Sequence, residues 1–121
     1  MSRTIDREQI QAALAEREDV VLVETLRPEH FEQGHLPGAV HLHPDDVERR
    51  AADVLPDRDA FVVTYCSNAA CGNSGAVAAR LAKLGYTNVR RYEAGKQDWQ
   101  EAGLPLERGP VQPEPTEAAA A

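Results

Sequence analysis

Both cysteines of the chain lie in one short stretch, FVVTYCSNAACGNS, which runs from residue 61 to residue 74. Cys66 ends a strand-like run, and small residues separate it from a predicted helix. Unpaired N–H groups at a helix N-terminus stabilise a thiolate, which is the reactive form of cysteine. Small residues also let a loop turn its amides toward an anion. The stretch therefore predicts that Cys66 is a nucleophile at the edge of an anion-binding loop.

The predicted anion-binding loop comprises every residue between the nucleophile and the start of the helix. These residues are Ser67, Asn68, Ala69, Ala70, Cys71, Gly72, Asn73 and Ser74. Cys71 has two interpretations, which the spacing leaves open. It is either a resolving thiol, which forms a disulfide with an oxidised Cys66, or a small residue that packs under the loop.

A metal site at the cysteines is not expected. A structural zinc site needs four ligands, and the histidines are in another segment without metal-like spacing to the cysteines. They are His30, His35, His41 and His43.

Strands that alternate with helices position this loop. Apolar runs predict strands at 20–23, 40–42, 61–65 and 89–92, and helical spacing or turn signals predict helices at 6–17, 44–53, 74–84 and 97–102. This alternation predicts an α/β fold with parallel strand pairs. Sites in such sheets form at the carboxyl ends of the strands, which is where Cys66 lies.

Length and charge narrow the choice of function. A chain of 121 residues is the size of one domain. We expect residues 1–107 to form it and residues 108–121, which are rich in Pro, Glu and Ala, to be a disordered tail. The net charge of −7 disfavours nucleic acid and anionic membranes as partners. Neither a signal peptide nor a membrane-spanning run is recognisable, so we expect a cytoplasmic protein whose thiols are kept reduced.

Four segments together resemble the rhodanese homology domain of sulfurtransferases. They are GHLPGA at 34–39, the YC that ends the strand at 65–66, LGY at 84–86 and DWQEAGLP at 98–105. The resemblance extends from about Ile5 to Glu107. It implies a three-layer α/β fold in which helices flank a mostly parallel sheet of about five strands.

The resemblance also implies an activity. Cys66 would take a sulfane sulfur from a thiosulfate- or persulfide-type donor, hold it as a persulfide and pass it to a thiol or another thiophilic acceptor. The loop amides would stabilise the anionic sulfurs, and no cofactor would take part.

The sequence departs from the usual family pattern in three places. The loop between Cys66 and Ser74 is longer, and Asn73 stands where an Arg commonly precedes the helix Ser. After the first buried strand, Glu24 begins a Glu-Thr-Leu where the family commonly has Asp-x-Arg. These departures predict weaker binding of an anionic donor and no ion pair of the usual kind at Glu24.

Three other functions are also conceivable for a cysteine at this position. A phosphatase would need Arg where Cys71 stands, so we do not expect one. A thiol redox relay through Cys66 and Cys71 remains an alternative, as does a noncatalytic interaction module.

Several charged or aromatic side chains outside the loop are expected to have structural roles. His35 is expected to fix the turn before Pro37, and Trp99 to anchor the core. Arg90, Arg91 and Lys96 are expected to lie on a solvated face.

Overall fold

A computed structural model describes residues 3–111 as a five-stranded parallel sheet with helices on both faces. The strands are β1 (Arg3–Thr4), β2 (Val20–Glu24), β3 (Val40–His41), β4 (Phe61–Tyr65) and β5 (Val89–Tyr92), in the spatial order β1-β5-β4-β2-β3. The helices are α1 (Arg7–Glu16), α2 (Pro28–Gln33), α3 (Val47–Val54), α4 (Asn73–Lys83) and α5 (Gly95–Glu101), and a 3-10 turn at Pro44–Asp46 precedes α3.

The two central strands have apolar side chains on both faces because both faces are covered. Leu22 and Val63 face each other in the register of β2 and β4. They belong to a core cluster that includes residues of α1, α2 and α5. Val23 and Val62 belong to a second cluster, with residues of α3 and α4. The predicted three-layer α/β architecture is therefore confirmed.

Local signals account for the bounds of most elements. Asp6 caps α1, because its carboxylate accepts from the Gln9 N–H while the Gln9 side chain accepts from the Asp6 N–H. Beyond α4, Gly85 has a φ of 95°, a conformation that glycine adopts without strain. Two elements were not predicted: the two-residue strand β1 and the short helix α2, which begins at Pro28.

The segment after α5 returns across the first core cluster. Trp99 is 4% exposed and donates its indole N–H to Pro105 O over 2.9 Å, which confirms it as a core anchor. Leu104, Leu106 and Val111 pack against the same cluster. Of the predicted tail, residues 108–111 are described, and residues 112–121 lie outside the described part of the chain. Within residues 3–111, no helix has the length and apolar character needed to cross a membrane.

Candidate active site

Cys66 follows β4 directly, at the carboxyl edge of the sheet. The last residue of β4, Tyr65, pairs with Glu24 of β2 on one side and with Tyr92 of β5 on the other. Cys66 is 1% exposed. The cysteine thus lies where the ends of three parallel strands meet, as the sequence predicted.

Cys66 and Cys71 form a disulfide, with their Cα atoms 6.3 Å apart. Reduced thiols were expected and the role of Cys71 was open, so this bond is a difference from that expectation. A turn inside the loop places Cys71. Its N–H donates to Asn68 O over 3.1 Å, and the Ala70 N–H donates to Asn68 Oδ1 over 3.0 Å. The Asn68 side chain supports the turn in this way, as Asn commonly does.

The other backbone N–H groups of the loop have no hydrogen-bond acceptor in the part of the chain that the structure describes. Within residues 3–111, no acceptor contacts the backbone N–H groups of Ser67, Asn68, Ala69, Gly72, Asn73 or Ser74. The last two open α4, where the helix dipole adds positive potential. Unpaired amides in a loop before a helix are a common arrangement for holding an anion.

The start of α5 fixes the backbone on the other side of Cys66. The Lys96 N–H donates to Cys66 O and the Gln97 N–H donates to Ser67 O, each over 2.8 Å. Gly95 makes this close approach possible. It has a φ of 70°, and a Cβ there would lie 2.6 Å from Cys66 O. Both carbonyl groups are therefore directed toward α5.

Side-chain hydrogen bonds attach the start of α4 to neighbouring strands. The Asn73 side-chain amide donates to Thr25 O over 2.9 Å, just beyond β2. The Thr64 hydroxyl donates to Ser74 O over 3.0 Å. Asn73, which stands where the family commonly has Arg, therefore connects the loop to the end of β2.

Arg91 contacts the loop, so its assignment to a solvated face was wrong. The Arg91 Nε–H donates to Ser74 Oγ over 2.9 Å, and an Nη2–H donates to Cys71 O over 3.3 Å. Its neighbour Arg90 is also partly buried, with its guanidinium 3.8 Å from the centre of the Phe61 ring. The alternation of side chains along β5 places Arg91 on the same face as α4. Arg91 of β5 therefore places a guanidinium beside the loop, which has no arginine of its own.

Lys96 was also assigned wrongly, because its side chain forms an ion pair with a buried carboxylate. Lys96 Nζ is 2.8 Å from Glu24 Oε1, and their side chains are 12% and 0% exposed. Burial raises the pKa of Glu24, and the Lys96 ammonium opposes this shift. The Tyr65 hydroxyl donates to the same Glu24 oxygen over 3.0 Å. Glu24 is paired after all, but with a lysine of α5 and not with an arginine that follows β2.

The histidines have structural contacts. His35 stacks on Phe31, with ring centroids 3.8 Å apart, and donates from Nδ1 to Phe31 O over 2.8 Å. His35 therefore makes a hydrogen bond with the backbone, and its role in fixing the turn before Pro37 stays a prediction. His41 is buried and donates from Nε2 to Leu26 O over 2.5 Å, and burial lowers its pKa. Among residues 3–111, no group of three or more His, Cys, Asp or Glu side chains could hold a metal ion.

Comparison with known proteins agrees with this architecture. Residues 6–102 match the Rhodanese-like domain family. A protein of Allochromatium vinosum named sulfurtransferase is 35% identical over 106 residues, which are 88% of this chain and 95% of that protein. An HTH-type transcriptional regulator of Mycobacterium tuberculosis is 34% identical over 75% of this chain, which spans only 39% of the regulator's length.

The fold also occurs in solved structures. The crystal structure of the BH2092 protein from Bacillus halodurans superimposes with a TM-score of 0.80 at 18% identity, and the match covers 99% of this chain and 90% of that one. The chain belongs to the rhodanese-like domain family.

Proposed function

We propose that the protein is a sulfurtransferase that carries a sulfane sulfur as a persulfide on Cys66. The donor is a thiosulfate- or persulfide-type molecule or protein, and the acceptor is a thiol or another thiophile. Residues 1–107 form the one domain that performs this reaction, and the reaction uses no cofactor. A cytoplasmic location remains a prediction from the sequence.

The reaction begins from the reduced form of the loop. The Cys66 thiolate attacks the outer sulfur of thiosulfate, sulfite leaves, and Cys66 holds the transferred sulfur as Cys66–S–S⁻. An acceptor thiolate then attacks the outer sulfur and releases the Cys66 thiolate. Loop amides stabilise the negative charge in both steps, as an oxyanion hole does.

One observation carries the proposal: a buried cysteine directly follows the central strand β4 and precedes a loop whose amides are largely without acceptors among the described residues. Those amides include the first N–H groups of α4, and Arg91 adds a positive charge beside them. The guanidinium donates hydrogen bonds to Ser74 Oγ and Cys71 O, and in this way it supports the loop. The family membership and the sulfurtransferase of Allochromatium vinosum add further support.

The departures in the loop bear on the choice of donor. The loop is longer than the usual family pattern and has no charged side chain of its own. Its amides and Arg91 are the groups that favour an anion there. We therefore propose that small anionic donors bind weakly and that a persulfide donor is also accepted.

A second candidate is a thiol redox relay in which Cys66 and Cys71 exchange electrons with another dithiol. The disulfide between these two residues is the observation that favours it. A noncatalytic interaction module is the third alternative. Both alternatives differ from sulfur transfer in releasing no sulfite from thiosulfate.

A single-turnover measurement tests the proposal. The protein is reduced, freed of reductant and mixed with thiosulfate, and the sulfite released is measured. We expect one sulfite per chain from the wild type and from Cys71→Ser, and none from Cys66→Ser. Sulfite release that survives Cys66→Ser would refute the role of Cys66, and a folded wild type that releases none would favour the relay or the module.

A further inference from the structure

We propose that Cys71 discharges the Cys66 persulfide as hydrogen sulfide, so that one sulfur transfer ends in the disulfide seen here. This inference rests on the proposed function, because it needs a persulfide on Cys66. It adds a second activity, in which thiosulfate-type sulfur is reduced to sulfide at the expense of a dithiol.

The backbone already holds the two cysteines at bonding distance. Their Cα atoms are 6.3 Å apart, within the range that disulfides usually span. The Asn68 turn fixes the N–H side of Cys71, and Arg91 fixes its carbonyl group. The loop therefore holds a resolving thiol near Cys66, and no large conformational change is needed to bring the two sulfurs together.

The chemistry balances without an added oxidant. The Cys71 thiol gives up its proton and attacks Cys66 Sγ, the inner sulfur of the persulfide. The bond between Cys66 Sγ and the outer sulfur breaks, and the outer sulfur leaves with the proton as HS⁻. Two electrons pass from the two cysteine thiols to the sulfane sulfur. The products are the Cys66–Cys71 disulfide and hydrogen sulfide.

Burial favours this internal acceptor over a bulky external one. Cys66 is 1% exposed, whereas Cys71 is partly exposed on the loop. An external dithiol can therefore reach the Cys71 sulfur more readily than the Cys66 sulfur. Its attack at Cys71 releases Cys66 as the leaving thiolate, which is the form needed to accept the next sulfur.

The cycle requires a dithiol reductant, either a small molecule or a redox protein with two thiols. With that reductant, thiosulfate yields sulfite and sulfide continuously. Without it, the protein stops after one turnover in the oxidised form. The disulfide is thus both the product of the second step and the resting state that the reductant must open.

Sulfide release from the pre-reduced full chain tests the inference. The protein is mixed with thiosulfate in the absence of reductant, and sulfite, sulfide and intact mass are measured. From the wild type we expect one sulfite, one sulfide and a mass lower than that of the reduced chain by two hydrogens. From Cys71→Ser we expect sulfite, no sulfide and a mass gain of one sulfur.

Three results test the inference separately from the function on which it rests. A wild type that releases sulfite but keeps the added sulfur, on either cysteine, overturns discharge by Cys71 and leaves the sulfurtransferase intact. The absence of sulfite from both proteins, together with no sulfur gain by Cys71→Ser from a small-molecule persulfide, overturns the sulfurtransferase itself. Sulfide release from Cys71→Ser equal to that of the wild type also overturns the inference.

Discussion

Replacing Lys96 by Met should destabilise the protein in a strongly pH-dependent way. The substitution leaves the Glu24 carboxylate, which is 0% exposed, without its ammonium partner at 2.8 Å. Removing one partner of a buried ion pair typically costs about 3–5 kcal/mol. Glu24 can limit that cost by taking up a proton.

The largest loss of stability that an unpaired Glu24 can cause follows from the ordinary pKa of the carboxyl group, 4.5. Protonating such a group near pH 7 costs about 3 kcal/mol, and near pH 5 it costs about 1 kcal/mol. The pKa of Glu24 is already raised in the fold, and loss of Lys96 raises it further. As the pH rises, Glu24 loses its proton in the unfolded variant at a lower pH than in the folded variant. The variant therefore loses stability relative to the wild type above about pH 4.5.

Urea denaturation of both proteins near pH 5 and near pH 7 measures this difference. We expect Lys96→Met to lose about 3 kcal/mol near pH 7 and about 1 kcal/mol near pH 5. Lys83→Met, at an exposed position of α4, is the matched control and should change little at either pH. Adding Glu24→Gln to Lys96→Met should remove the pH dependence. An equal loss of stability at both pH values would refute the argument that an unpaired Glu24 is its source.

Three further predictions concern the scaffold of the site. Gly95→Ala should lower the free energy of unfolding by at least about 2 kcal/mol, since its Cβ would lie 2.6 Å from Cys66 O. Gly103→Ala shares a positive φ, but its Cβ meets no atom within 4 Å, so it should cost less. Equal losses in urea denaturation would contradict the clash at Gly95. Burial lowers the pKa of His41 below 6.5, so wild-type stability should fall as the pH drops through and below that value, and His41→Gln should reduce this fall. Identical pH profiles of the denaturation midpoint would contradict that assignment. Tyr86→Phe removes a hydroxyl whose one hydrogen is shared between Ala51 O at 3.0 Å and Leu55 O at 2.5 Å. It should cost about 1 kcal/mol in the same assay, and an unchanged midpoint would contradict this expectation.

The sequence predicted the elements whose signals are local. The apolar runs that become β2 and β4 are long enough to identify as strands covered on both faces. The spacing of Val77, Ala78 and Leu81 identified α4, whose end Gly85 marks. Cys66 could therefore be placed at the strand end before a helix, which is the essential geometry of the site.

Elements too short to show a repeating pattern of apolar residues could not be predicted from the sequence. A two-residue strand such as β1 forms because β5 offers it a partner, and the sequence of Arg3–Thr4 carries no sign of that pairing. The helix α2 is only six residues long. Pro28 at the first turn and the apolar Phe31 were the available signals, and no helix was predicted for this segment.

Long-range partners of charged side chains were also missed. Arg91 and Lys96 are close in sequence to other polar residues, which favoured a solvated interpretation. Their partners, Ser74 and Glu24, are distant in sequence and approach only when the sheet forms. Alternation along β5 could have indicated that Arg91 faces α4, since it shares that side with Val89. Nothing local indicated that Lys96 would pair with Glu24.

The most direct test of the central claim is to locate the transferred sulfur. Reduced Cys71→Ala protein is treated in turn with thiosulfate and with a small-molecule persulfide, then analysed by intact mass and by mass of the peptide that contains Cys66. The account predicts a gain of one sulfur on that peptide with at least one donor, and no gain in a Cys66→Ala, Cys71→Ala double variant. A folded Cys71→Ala protein that gains no sulfur from either donor would contradict it.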